Sequence, residues 1–181
     1  EDDSGSFRMR NLNGATNGFS TQIRDTRYSG GTYAYHAEGV GNNLVQWVFA
    51  GLVPGESYEV GASWVGGVGR APDAPFSVLA AAGADTASLN AATEIYAETV
   101  DQRIDPAGVT GWHTFPPVTL GANENTLIVQ LTDKAQGYVL ADAVRVTPAT
   151  VGEIAGSVAA AATQLNATAA AMAQTAHGSS Q

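Results

Sequence analysis

Apolar residues recur at every second position through most of the first 147 residues, in short runs cut by Gly, Pro, Asn and Asp. Side chains on a strand point alternately to opposite faces, so each run predicts a strand with one buried face. Thr32–His36 (TYAYH) is rich in strand formers. Leu44–Ala50 puts Val45, Trp47 and Phe49 on one face. In 58–64, Tyr58, Val60, Ala62 and Trp64 alternate with Glu59, Gly61 and Ser63, the pattern of a half-buried antiparallel strand. Phe76, Val78 and Ala80 continue it, and strands follow at 93–100, 112–120, 126–131 and 138–147. Pro116-Pro117 interrupts or edges the 112–120 run. Residues 81–92 are small and fit either a loop or a helical turn. Asn13-Gly14, Asn17-Gly18 and Pro54-Gly55 mark turns, because Gly and Asn tolerate positive φ and Pro presets the corner. Eight or nine short strands of this kind predict an antiparallel β-sandwich, and the long connections favour a jelly-roll-like order.

The closing stretch, Gly137–Thr147 (GYVLADAVRVT), places Leu140, Asp142, Val144 and Val146 on one face of a single strand. A carboxylate among Leu and Val has to be paired or hydrogen-bonded. Asp142 is therefore read as a structural pin, accepting from Arg70 or Arg103 or from amides of the 66–74 loop. The competing role, a sugar or calcium ligand, suits an inward strand position poorly.

After Pro148 the period changes. Thr150–Glu153 (TVGE) is a capping-box pattern, and Val151, Ile154, Val158, Ala161, Leu165 and Met172 fall on a heptad-like seam. This predicts one long C-terminal α-helix of roughly 25 residues. The stretch from Ile154 onward carries no charge, yet Gln164, Asn166 and Gln174 make membrane insertion poor, so the seam is expected to pack against protein. The domain reading is an N-terminal extension over 1–12, a sandwich over 13–148, and an Ala-rich helix and tail over 149–181.

Composition narrows the function. The 181-residue chain has a net charge of −9, 14% charged residues and a single lysine, Lys134. Without a basic surface, nucleic acid is excluded as a partner. There is no cysteine, which removes disulfides, thiol catalysis and Cys-ligated zinc. His36, His113 and His177 have no metal-ligand spacing, and no nucleophile or phosphate-loop motif occurs. No catalytic residue, metal or cofactor is expected. Asp133 with nearby carbonyls is a further place to weigh calcium, but no Asp ladder accompanies it. Few lysines and many Gly, Ala, Thr and Asn residues fit a secreted bacterial surface protein.

Several motifs together resemble a known family. Gly51-Leu52, Pro54-Gly55, Tyr58-Glu59-Val60 and Ser63-Trp64 are similar to the core of the carbohydrate-binding-like domain of golvesin and xanthan-lyase-type proteins. Arg70-Ala71, Ala74–Val78, Val100–Arg103, Trp112, Leu120-Gly121 and the closing Gly137-Tyr138-Val139 with Ala141–Arg145 extend the likeness over about 13–148. The resemblance implies a β-sandwich attached to secreted bacterial proteins, with a sugar-binding role. Trp112, Tyr33 and Tyr35 are the candidate stacking residues, whereas Trp47 and Trp64 are in phase with the core. Two functions remain. The first is an extracellular structural subunit that polymerises through its helix seam and exposed strand edges into a fibre or layer. The second is a carbohydrate-binding module with a polysaccharide partner. The uncharged helix and the lack of an enzyme domain place the first ahead.

Overall fold

The computed structural model describes residues 6–14, 16–23, 32–106, 111–150 and 162–163. Its elements are β1 (Ser6–Asn11), β2 (Ser20–Ile23), β3 (Thr32–His36), β4 (Asn43–Ala50), β5 (Ser57–Ser63), β6 (Ala74–Ala81), α1 (Thr86–Asn90), β7 (Thr93–Val100), β8 (His113–Thr114), β9 (Val118–Thr119), β10 (Thr126–Thr132), β11 (Val139–Ala141) and β12 (Ala143–Pro148). One layer is a five-stranded antiparallel sheet in the order β1-β4-β10-β6-β7. The other is made of two short sheets, β11-β3-β2 and β12-β5-β8, with β9 also on β5.

The alternation decides what lies between the layers. Val45, Trp47 and Phe49 of β4 share one buried cluster with Leu127, Val129 and Leu131 of β10 and Phe76, Val78 and Ala80 of β6. Tyr58, Val60, Ala62 and Trp64 meet them from the other layer. Trp47 and Trp64 are 4% and 5% exposed, so both are core, as their phase predicts. The ambiguous 81–92 stretch holds the short helix α1. Asp85 caps it, accepting from the amides of Ala87 at 3.0 Å and Ser88 at 3.1 Å. Leu89 of α1 then covers Val48 and Ile128 on the outer side of the main sheet. Pro116-Pro117 splits the expected 112–120 strand into β8 and β9, because neither proline has an N–H for the ladder.

Three expectations need correction. Residues 6–11 are not an extension: β1 pairs with β4 from Ser6↔Val48 to Asn11↔Asn43 and forms one edge of the main sheet. The closing stretch is not one strand. It breaks at Asp142, so that β11 pairs with β3 and β12 with β5, and Asp142 is half-buried where the chain changes partner. Among the described residues the buried carboxylate is Asp133, at 1% exposure. It accepts from Gly41 N at 2.7 Å and Asn43 Nδ2 at 2.8 Å, with His36 Nδ1 at 3.6 Å, and so pins the loop before β4. The helix seam of Val151, Ile154, Val158, Ala161, Leu165 and Met172 lies outside the described residues. From 151 onward only the helical pair 162–163 is described.

Candidate functional site

At one end of the sandwich the loops after β5 (64–73), after β7 (101–106) and after β10 (133–138) are stitched to one another. Ala71 N donates to Tyr138 O at 2.8 Å, Tyr138 N to Gly69 O at 3.2 Å, and Gln102 N to Ala71 O at 2.8 Å. The Trp64 indole N–H donates to Ile104 O at 2.8 Å, and Gly66 N to Asp105 Oδ1 at 2.7 Å. Gly66 has to be glycine, since a Cβ there would lie 2.6 Å from Asp105 N and 2.8 Å from the Ile104 carbonyl carbon.

Gln102 holds this end to the sheet. Its side chain is fully buried. Nε2 donates to Leu140 O at 2.7 Å, and Oε1 accepts from Leu140 N at 2.8 Å. Among the described residues β11 is paired with one strand, β3, on one of its edges. On its other edge one primary amide satisfies both backbone groups of a residue that is itself fully buried.

Between the edge strand β7 and strands β5 and β8 opens a cleft of about 240 Å³, with Trp64, Glu98, Asp101, Ile104, Asp105 and His113 among its lining residues. Glu98 is on the inward face of β7, level with Phe76. Its Oε2 accepts from Tyr96 OH at 2.7 Å, and His113 Nε2 is 3.3 Å from Oε1. The His113 ring sits edge-on to Phe115 and 5.8 Å from the Trp64 ring centroid. Burial, then the bond to Glu98 and its negative charge, push the Tyr96 hydroxyl up to about 12. Asp101 is held below the usual carboxylate range by hydrogen bonds from the Arg103 side chain and amide. Asp105 uses Oδ1 on Gly66 N. Each carboxylate of the cleft is thus a fixed acceptor with a stated partner.

The sequence candidates are placed as follows. Arg103 grips Asp101, two residues before it in the same turn, with Nε 2.9 Å from Oδ1 and Nη2 2.6 Å from Oδ2. Arg70 lies over Tyr33, its Cζ 5.9 Å from the ring centroid. Tyr33 is 8% exposed and so offers no open stacking face. Trp112 is half-buried and one face is taken by Arg145, whose Cζ is 4.9 Å from the ring; Arg145 also bonds Glu59 at 3.2 Å. Tyr35 is half-buried, and its ring lies 6.1 Å from that of Tyr138. Tyr138, 46% exposed, is the aromatic that sequence reasoning left out. The signal was present: it shares parity with Leu140, which pairs with Tyr35 across β11 and β3. Among the described residues no group of three or more His, Asp or Glu side chains is placed to hold a metal ion. No helix among them is long and apolar enough to cross a membrane.

No protein-family model matches the chain, and no curated protein matches it. Among solved structures it is similar to Paenibacillus xanthan lyase, with a TM-score of 0.57 and 21% identity over 82% of this chain and 12% of that one. It is also similar to the K1 cleaved adhesin domain of Lys-gingipain from Porphyromonas gingivalis W83, with a TM-score of 0.50 and 14% identity over 81% of this chain and 94% of that domain. The chain thus spans about an eighth of the lyase, 12% of its length, and nearly all of the adhesin domain. At these identities the likeness is one of fold: an antiparallel β-sandwich that occurs both inside a larger enzyme chain and as a domain by itself. The xanthan-lyase side of the sequence resemblance is met by this fold; the golvesin side rests on the motifs alone.

Proposed function

We propose that the chain is a non-catalytic carbohydrate-binding module of a secreted bacterial protein, and that it binds glycan at the loop end. The observation that carries this reading is the stitched trio of loops. It presents an exposed aromatic ring, Tyr138 backed by Tyr35, on the same end as a cleft lined by Trp64 and three carboxylates. A flat ring suits the C–H face of a pyranose, and fixed carboxylate acceptors suit its hydroxyls. Loops already held by backbone bonds lose little freedom on binding. Binding rather than hydrolysis is favoured because Glu98, Asp101 and Asp105 each serve a neighbour already. The fold likeness to a part of xanthan lyase supports the same reading.

The surface-subunit reading depends on a seam that lies outside the described residues, and the fold likeness gives it no support. Affinity electrophoresis through gels containing soluble polysaccharides tests the module reading. Retardation by at least one polymer, lost in Tyr138→Ala, is expected. Free migration of the folded protein through every gel of a broad panel would overturn it.

A further inference from the structure

The charges around the loop end bear on which glycans it takes. Besides the buried Asp133, five carboxylates are placed there: Glu98, Asp101 and Asp105 on the cleft, Glu38 accepting from Gly137 N at 3.2 Å, and Asp73 accepting from Gln136 N at 2.8 Å. Three cations face them. Arg103 is bound bidentate to Asp101, Arg70 lies over the Tyr33 ring, and the Lys134 stem packs beside Gly41. Among the described residues of this end carboxylates thus outnumber lysine and arginine, on a chain whose net charge is −9. Among the described residues that line the cleft there is no lysine or arginine. The ring nitrogen that lines it, His113 Nε2, is turned to Glu98 Oε1 at 3.3 Å, whereas Asp105 has one oxygen committed to Gly66 N and a second that takes no hydrogen bond from any described residue.

From this charge placement we infer that the loop end selects uncharged glycans and discriminates against polyuronates and sulfated polymers. The inference rests on the glycan-binding reading above and names the substrate class of that same site. Glu98 and Asp105 are the specificity-determining residues. Repulsion between surface charges a few ångströms apart is worth on the order of a tenfold loss of affinity for each uronate that enters, and it fades as the Debye length falls from about 10 Å at 0.1 M salt to about 3 Å at 1 M.

The test uses backbone-matched pairs of polymers in affinity electrophoresis: hydroxyethylcellulose with carboxymethylcellulose, and β-1,4-mannan with polymannuronate. At 20 mM salt the neutral member of at least one pair is expected to bind about tenfold tighter than its carboxylated counterpart. At 0.5 M salt the gap is expected to fall below about threefold. Glu98→Gln with Asp105→Asn keeps the acceptor oxygens for Tyr96 OH and Gly66 N while removing two charges, and should close the gap at low salt with an unchanged melting temperature. A carboxylated polymer bound as tightly as its neutral partner at 20 mM salt would overturn the inference while leaving the module reading intact. A gap that responds to neither salt nor the double substitution would also overturn it. If the folded protein binds no polymer of either kind, the module reading itself fails.

Discussion

Replacing Gln102 with Leu asks how much one side chain contributes to holding β11. The substitution conserves volume and apolar packing but removes both bonds to Leu140, Nε2 to O at 2.7 Å and N to Oε1 at 2.8 Å. Both residues are fully buried, so no solvent takes over. Each orphaned backbone group costs about 1–3 kcal/mol, which gives about 4 kcal/mol for the pair. That is a large share of a typical domain stability of about 5–15 kcal/mol. For a domain of this size it lowers Tm by about 8–16 °C. Gln102→Glu separates the two bonds. A glutamate still accepts from Leu140 N, but it bonds Leu140 O only when protonated. Its folded pKa is therefore raised above the ordinary value near 4.3, so its contribution is fully present below that value and is lost as pH rises through the folded pKa. Guanidinium unfolding at pH 4 and pH 7 reads both effects, and hydrogen exchange at the Leu140 amide localises them. A Gln102→Leu protein that loses less than about 1 kcal/mol and keeps that amide protected would refute the amide clamp.

Other outcomes follow from the same geometry. Gly66→Ala forces a Cβ to within 2.6 Å of the Asp105 backbone nitrogen, so stability should fall by about 1–3 kcal/mol and polymer retardation should weaken. Gly69→Ala, where a Cβ meets nothing within 4 Å, is the matched control and should change neither. Asp133→Ala leaves Gly41 N and Asn43 Nδ2 without their acceptor and should cost about 2–4 kcal/mol in urea melts. Absorbance at 295 nm should show one tyrosine titrating near 12, absent in Tyr96→Phe. Because that pKa is raised from its ordinary value of 10, the native state holds the proton longer than the unfolded chain, and stability declines between pH 10 and 12.

What the chain reveals without coordinates is governed by period. The alternation in 32–36 and 93–100 matches β3 and β7 end to end, and it placed Trp47 and Trp64 in the core, because burial of one face is written into every second residue. The β1 segment, SFRMRN, carries Arg at two of its six positions and sits behind an acidic start, so nothing local separates an edge strand from an extension. For Asp142 the parity argument assumed one continuous strand. The chain changes partner there, and a carboxylate outside the series, Asp133, is the buried one. The candidate site was legible in composition and not in assembly. Trp112 and Tyr33 were visible as aromatics, but the guanidiniums of Arg145 and Arg70 that lie over them come from 33 and 37 positions away. Tyr138 meets Tyr35 only because β11 pairs with β3.

The central claim is that the loop end binds glycan through Tyr138. The direct measurement is isothermal titration of the intact chain and of Tyr138→Ala with oligosaccharides of a polymer that retards the protein. The account predicts a saturable, one-to-one isotherm for the parent chain and at least a tenfold weaker one for the variant, with matching melting temperatures. Equal affinities in the two folded proteins would contradict it.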